Sequence, residues 1–412
     1  MKINVKALTP IWTGDANRVC RRILETGIIG SLRWWYEVMI RGFDLYACDP
    51  TDSKCEEERH CHACQLFGCT GWAKRFRLEI TEQNGSFAPF VIAKPNGSSR
   101  GTFLGHYDSQ ENYENNGGFI GEIDLKITPL SDSKIDILNV LIKFACDWGF
   151  GSRTQVGFGI ADVEGLEDIV IKDIPPPVKT PDKAIYRLSL PRLDKFFFAR
   201  IPIKSELMTS IKDMVKNNIY CRPNAAPLRN WNIDRYLPTA PWVRKSLREI
   251  WRENDVLRHI LMGFISILDQ RKKRRNPSPI HLKCWQHSVV KDKQNKERWF
   301  CAACKKKNLN EGEILEKTGS LIHVSHIYNR NTYFQDIESV YEMKIWGYIP
   351  EITDELSKSR EHILKEIKEK IWSEDFWRGC FGLDQCPIQT KEIKWCDNVS
   401  VQKILQNKGI IL

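Results

Sequence analysis

The sequence lacks several patterns that would point directly to a function. No apolar run among the 412 residues approaches the length that spans a bilayer, which argues against a membrane helix. An alternating segment opens the chain in place of an apolar leader, so the cytoplasm is the expected location. Gly-x-Ser-x-Gly, Walker and His-Glu-x-x-His motifs are also missing. Their absence argues against a serine hydrolase, a P-loop nucleotidase and a zinc peptidase.

The composition is that of a packed protein with a basic surplus. Hydrophobic residues make up 42% of the chain and charged residues 28%, which is ordinary for a soluble globular fold. The net charge of +10 favours a polyanionic partner. The 14 tryptophans can fill a core or stack on nucleic-acid bases. The 14 cysteines of a cytosolic chain are read first as metal ligands or buried thiols.

Four glycines lie within eleven residues in the segment GFGSRTQVGFG, residues 149–159. Exposed backbone N–H groups beside an arginine, here Arg153, form a natural phosphate cradle. The segment follows a helical pattern and precedes a strand-like one. A dinucleotide fingerprint has the opposite order, so this glycine-rich loop predicts phosphate contact and no nucleotide cofactor.

Hydrophobic periodicity predicts an α+β fold of two ferredoxin-like (RRM-related) domains in tandem, with loop insertions. The N-terminal half has the order β-α-β-β-α-β, which is ferredoxin-like. A proline-rich stretch at residues 175–181 predicts a linker. It separates an N-terminal domain, residues 1–174, from a C-terminal domain, residues 182–412. In the second half we expect a strand over 196–203, one long helix over 243–268, antiparallel strands over 321–328 and 341–348, and a helix over 363–372.

Two cysteine clusters are candidate structural zinc sites. The first consists of Cys48, Cys55, Cys61 and Cys64, in which His60 or His62 could replace Cys48. The second pairs Cys284-x2-His287 with Cys301-x2-Cys304 across a charged, hairpin-like segment, a zinc-ribbon spacing in which His281 could replace His287. Four protein ligands would leave no position for a catalytic water. Reduced thiols in a polar loop are the alternative for the first cluster.

Basic residues beside aromatic ones form several candidate RNA-binding segments. Their members are Arg33 and Arg41 on the first helix, Lys74, Arg75 and Arg77 after the first cysteine cluster, Trp242 and Arg244 before the long helix, and Arg271 and Arg274 at its end. Single-strand binders combine stacking aromatics with cations in this way. Each segment also has a structural alternative, such as an ion pair between Arg33 and Glu37, a buried tryptophan, or cations at a helix C-terminus.

Four segments together resemble a known protein family. They are TPIWTG at residues 9–14, TGIIGSLRWWYE at 26–37, CQLFGCTGWA at 64–73, and the glycine-rich loop. They resemble the RAMP-superfamily subunit that is numbered first in the type III-B (Cmr) CRISPR effector complex. The resemblance is dense over residues 1–160 and thin beyond them.

The resemblance implies a non-catalytic RNA-binding subunit. It would contact the 3′ region of the guide RNA and the target RNA, and assemble with other subunits of a Cmr-type complex. The RNA contacts that it implies are Arg33, Arg41, Lys74, Arg75, Arg77 and Arg153.

Two alternatives remain open at this point. One is a RAMP-type, metal-independent endoribonuclease that processes guide precursors, which needs a general base near the glycine-rich loop, for example His106 or His326. His323 and His326 lie in a strand-like run, so we expect them on opposite faces as structural histidines. The other is a zinc-ribbon scaffold that binds only proteins.

Overall fold

The computed structural model describes most of the chain. Side chains are described for residues 1–15, 20–48, 55, 60–87, 117–130, 135–166, 190–218, 235–252, 257, 261–262, 320–333, 338–349, 359–399 and 404, and several short strands are described by their backbone alone. The predicted linker at 175–181 lies outside the described residues, so the division into domains 1–174 and 182–412 stays a prediction.

Strands outnumber helices in the described part of the chain. The strands are β1 (Lys2–Ala7), β2 (Phe76–Phe87), β3 (Val91–Ala93), β4 (Thr102–Leu104), β5 (Phe119–Pro129), β6 (Ala161–Glu164), β7 (Phe196–Pro202), β8 (Ile219–Cys221), β9 (Ala226–Pro227), β10 (Tyr236–Leu237), β11 (His287–Lys291), β12 (Glu297–Cys301), β13 (Lys307–Leu309), β14 (Ile322–Val324), β15 (Ile327–Asn329), β16 (Tyr341–Tyr348) and β17 (Lys394–Cys396). The helices are α1 (Glu25–Gly42), α2 (His62–Phe67), α3 (Ile137–Trp148), α4 (Met208–Asn218), α5 (Ala240–Glu249), α6 (Arg360–Trp372) and α7 (Glu374–Phe381).

The N-terminal half contains an antiparallel sheet in the order β2-β5-β1-β6. Alternation along β1 places Ile3, Val5 and Ala7 in the core and polar residues on the other face. With α1 and α3, these strands give the predicted β-α-β-β-α-β succession. The fold class is therefore α+β, as predicted.

A second antiparallel sheet has the order β10-β15-β16-β7-β17, with β14 also paired to β16. The strand over 196–203, the strands over 321–328 and 341–348, and the helix over 363–372 are confirmed as β7, β14 to β16 and α6. The single long helix over 243–268 was wrong in one respect. Helix α5 ends at Glu249 and a turn follows at Trp251 and Arg252. The identification of two ferredoxin-like domains stays a prediction.

The two sheets share one aromatic core. Phe198 on β7 lies 4.6 Å, between ring centroids, from Trp148 on α3. Trp35 on α1 lies 4.9 Å from Phe144 on α3. The largest fully buried side chains include Trp148, Trp242, Trp251, Trp346 and Trp377. Much of the high tryptophan count therefore serves packing in the part of the chain that the structure describes.

None of the described helices is long and apolar enough to cross a membrane.

Candidate nucleic-acid interface and cysteine cluster

The glycine-rich loop connects α3 to β6 along the junction of the two sheets. Its backbone has positive φ at Gly149, Gly151, Arg153, Gly157 and Gly159. Because L-residues rarely adopt positive φ, this path depends on its glycines. Arg153, at φ 62°, adopts the left-handed conformation without being glycine.

Helix α1 holds the start of the loop. The Ser31 hydroxyl accepts a hydrogen bond from the Gly151 N–H at 3.0 Å and donates one to the Gly149 carbonyl at 3.2 Å. The Trp35 indole N–H donates to the same carbonyl at 2.8 Å. The GSLRWWY segment thus folds as a helix whose serine and second tryptophan fix the loop. Neither residue was predicted to be a site residue, although both lie inside this segment.

Arg153 extends from the loop over the face of Trp12, with 4.3 Å between the guanidinium carbon and the ring centroid. The Ser152 N–H donates to the Trp12 carbonyl at 2.9 Å, which holds the two segments together. Arg153 is half-buried, and burial lowers its pKa to about 10. No carboxylate among the described residues pairs with it. Within the described part of the chain, the loop therefore carries a partly desolvated cation without a carboxylate partner.

Residues from the second sheet hold the other end of the loop. The Thr154 hydroxyl and His323 Nδ1 share a hydrogen bond of 2.8 Å. The backbone N–H of His326 donates a hydrogen bond to the Gly157 carbonyl at 3.3 Å. The expectation that these histidines lie on opposite faces was wrong, because β14 ends at Val324 and the chain turns before β15 begins. Burial lowers the pKa of both imidazoles to about 3. His106 lies outside the described residues.

The buried His326 predicts a loss of stability in mild acid. Its folded pKa lies below the unfolded value of about 6.5, so below that pH only the unfolded chain binds the extra proton. The free energy of unfolding should fall by about 1.4 kcal/mol per pH unit between pH 6 and 4 from this residue. In urea unfolding at pH 7.5, 6 and 5, the free energy of unfolding of His326→Gln should depend less steeply on pH than that of the wild type. An unchanged slope would contradict the buried neutral imidazole.

Arg33 and Arg41, predicted for RNA, contact the first cysteine segment instead. Arg33 donates to Glu37 at 2.9 Å, the Gly68 carbonyl at 2.6 Å and the Cys64 sulfur at 3.2 Å. Arg41 is buried and donates to the Cys48 carbonyl at 2.9 Å. Their donors are thus occupied inside the protein, and we do not include them in the proposed RNA surface.

The first cysteine cluster is brought together by the fold. The sulfur atoms of Cys48, Cys55, Cys61 and Cys64 all lie within 4.8 Å of one another. The histidine alternatives for Cys48 are not part of this group. His60 Nδ1 lies 3.6 Å from the Cys69 sulfur, and burial lowers the pKa of the His62 imidazole. The spacing of the four sulfurs is consistent with a structural metal site.

A tight turn after α2 places further predicted RNA residues at the surface. Cys69 and Trp72 exchange backbone hydrogen bonds of 3.0 and 2.9 Å. Trp72 is 37% exposed and its ring lies 4.5 Å from that of His60. Lys74, Arg75 and Arg77 follow, and Arg77 has the most exposed side chain, at 66%, with an ion pair of 3.0 Å to Glu79. An exposed aromatic next to three cations is the arrangement that single-strand binders use.

The remaining predicted RNA residues fall into two groups. Trp242 is buried in the core, and Arg244 is buried with donors to the carbonyls of Gln155, Met262 and Ile322. Burial lowers the pKa of Arg244 to about 9. Arg244 thus fixes the glycine-rich loop from inside, and its burial argues against RNA contact. Arg271 and Arg274 lie outside the described residues.

The second cysteine cluster is described only in part. β11 and β12 form an antiparallel hairpin whose register sets His287 opposite Cys301. Cys284 and Cys304 lie outside the described residues, as do the side chains of the other two. A zinc ribbon at this position stays a prediction.

One family model matches the N-terminal part of the chain, and the following solved structures are similar to it. A chain in a cryo-EM structure of type III-B Cmr-beta bound to cognate target RNA and AMPPnP, in the presence of ssDNA, is 15% identical with a TM-score of 0.36, covering 90% of this chain and 98% of that one. Cmr1 from Pyrococcus furiosus, in an apo crystal structure, is 11% identical with a TM-score of 0.29, covering 85% and 87%. No curated protein sequence matches. The family model described as RAMP superfamily matches residues 4–162 of this chain.

Proposed function

We propose that this chain is a non-catalytic RNA-binding subunit of a type III-B CRISPR RNA-guided complex. In this role it contacts the 3′ region of the guide RNA and the target RNA, beside other subunits of a Cmr-type assembly. The match of residues 4–162 to the RAMP superfamily model and the resemblance of residues 9–14, 26–37 and 64–73 support the proposal. Two ferredoxin-like domains in tandem are part of it.

The observation that carries the proposal is the partly buried charge of Arg153, which has no carboxylate partner among the described residues. Burial without a counter-ion is unfavourable for a guanidinium, and its lowered pKa reflects that cost. A phosphate beside the glycine-rich loop would supply negative charge next to Arg153. Its oxygens would accept hydrogen bonds from the forked N–H groups of the guanidinium. Binding of an RNA backbone would therefore relieve an electrostatic cost that the free protein carries.

A second RNA contact lies at the turn after α2. Trp72 offers an exposed ring for stacking, which is tolerant of base identity, and Lys74, Arg75 and Arg77 offer cations for the adjacent backbone. Because these contacts depend on charge and shape, the affinity for RNA should fall steeply as the salt concentration rises and vary little with the RNA sequence.

Arg153→Ala is expected to weaken binding of single-stranded RNA by about 10- to 100-fold, as removal of one charge-assisted phosphate contact implies. The slope of log affinity against log salt should decrease by about 1. Fluorescence anisotropy with a labelled RNA at low salt measures both quantities. Arg378→Ala is a matched control, since Arg378 is exposed on α7 and pairs with Asp375. Equal weakening by both variants, or by neither, would contradict the assigned role of Arg153.

One observation favours the endoribonuclease alternative. The structure sets His323 and His326 against the glycine-rich loop, where that alternative requires a base. Their low pKa values leave them neutral at pH 7 and poorly suited to donate a proton. Under the leading proposal, RNA incubated with the protein and a chelator should remain uncut. Metal-independent cleavage that His326→Gln abolishes would establish the alternative.

A further inference from the structure

One charged row on α1 faces the cysteine cluster. Arg33, Glu37 and Arg41 are spaced four residues apart, so they share one face of the helix. Glu37 pairs with Arg33 at 2.9 Å and with Arg41 at 3.6 Å, and only 5% of its side chain is exposed. Held by this carboxylate, the two guanidinium groups contact opposite ends of the cysteine segment. One reaches the Cys64 sulfur and the other the Cys48 carbonyl.

We propose that Cys48, Cys55, Cys61 and Cys64 bind one Zn²⁺ as thiolates, and that Arg33 stabilises the site by donating an N–H to the Cys64 sulfur. Sulfur atoms on a tetrahedral zinc at about 2.3 Å lie roughly 3.8 Å apart. Here the Cys48 and Cys64 sulfurs are 3.5 Å apart, and all four lie within 4.8 Å of one another. A disulfide needs about 2.05 Å, so these sulfurs are grouped without being bonded in pairs.

The charge of such a site explains the arginine. Four thiolates and one Zn²⁺ carry a net charge of −2, and three of these cysteines are buried. Negative charge away from water needs donors and a counter-charge. The Cys64 N–H points to the Cys61 sulfur and the Cys61 N–H to the Cys55 sulfur, each at 3.4 Å. Arg33 adds the full positive charge, at 3.2 Å from Cys64.

This role also explains why Arg33 is partly buried. An RNA-contacting arginine would leave its donors free for phosphates, whereas Arg33 uses them on Glu37, Gly68 and Cys64. Outer-shell partners of this kind typically change metal affinity by about 10- to 100-fold. Arg33 is thus a positioning residue for the metal, and it does not depend on the RNA-binding proposal.

The first test is zinc stoichiometry of the full-length chain, purified without chelator and measured by mass spectrometry of the metal. Relative to wild type, the Cys61→Ser/Cys64→Ser variant should lose one equivalent. The difference excludes any metal held by the second cluster. Co²⁺ added to zinc-free protein should give thiolate-to-metal absorption that is weaker in this variant by the contribution of one site. Unchanged stoichiometry and unchanged absorption would identify reduced thiols and overturn the proposal.

The second test concerns Arg33. Arg33→Met should weaken Zn²⁺ binding by about 10- to 100-fold, measured by competition with a chromophoric chelator. Arg33→Lys should restore part of the affinity because it keeps the charge. Arg378→Met, at an exposed arginine on α7, should bind Zn²⁺ as wild type does. Equal affinity of Arg33→Met and Arg378→Met for Zn²⁺ would remove Arg33 from the site.

Discussion

Gly157→Ala is expected to destabilise the protein by about 3 kcal/mol or more. Gly157 has a φ of +112°, which an L-residue adopts at a cost of about 1–3 kcal/mol. A Cβ there would also lie 2.4 to 2.6 Å from three ring atoms of His326. That ring is fully buried, so it cannot move aside freely, and overpacking adds about 1–3 kcal/mol. Urea unfolding followed by tryptophan fluorescence measures the change.

A matched control for Gly157 is available on helix α7. A Cβ at Gly379 meets no atom within 4 Å, so Gly379→Ala should be neutral or stabilise by about 0.5–1 kcal/mol. Combining Gly157→Ala with His326→Ala should restore part of the lost stability, because the clash disappears while the backbone strain remains. A Gly157→Ala variant as stable as wild type would contradict the loop geometry on which the RNA proposal depends.

Asp147→Asn is expected to destabilise the protein by about 3 kcal/mol through a different mechanism. Asp147 on α3 pairs with Lys344 on β16 and with Arg200 on β7, at 3.2 Å for the latter. Burial opposes its ionisation, but the two cations outweigh this effect and hold the pKa of Asp147 below its ordinary value. Removing the carboxylate leaves Lys344, only 2% exposed, beside a like charge. Unpaired buried charges cost about 3–5 kcal/mol, and the partial exposure of Asp147 favours the lower figure.

The relative stability costs of several variants test this mechanism more sharply than any single cost. Lys344→Met should cost less than Asp147→Asn, because methionine fills the buried volume and Arg200 still pairs with Asp147. The double variant should cost less than the sum of the two. Asp375→Asn, which removes an exposed partner of Arg378, should change stability by less than about 1 kcal/mol. A larger stability cost for Lys344→Met than for Asp147→Asn would show that an unpaired buried charge is not the main cause of the destabilisation.

Local pattern was sufficient for much of the N-terminal half. Residues that are close together along the chain are enough to predict the alternation of β1 and the helical spacing of α1. They also predict that the glycine-rich loop follows a helix and precedes a strand. The break after Glu249 was not predictable in this way, since apolar residues continue on the same periodicity beyond it. Periodicity reports which face is buried and is insensitive to a turn that preserves that face.

The roles of the arginines were the hardest part to predict. Arg33, Arg153 and Arg244 all lie near motifs that suggest RNA. Arg33 contacts a cysteine, Arg153 stacks on Trp12 with no carboxylate partner in the part of the chain that the structure describes, and Arg244 supports the loop from inside. Composition cannot separate these cases, because a guanidinium binds a thiolate, a phosphate or a carbonyl with the same donors. Only the partner at hydrogen-bond distance distinguishes them.

The sequence by itself determined the α+β class, the order of the N-terminal elements and the candidate ligands Cys55, Cys61 and Cys64. These depend on spacing along the chain, which a reader of the sequence can see. The tertiary structure alone decided that Cys48 joins the cluster, that Arg33 faces it, and that Arg153 meets no carboxylate among the described residues. Each of these depends on segments distant in sequence meeting in space, where burial fixes which charges need partners.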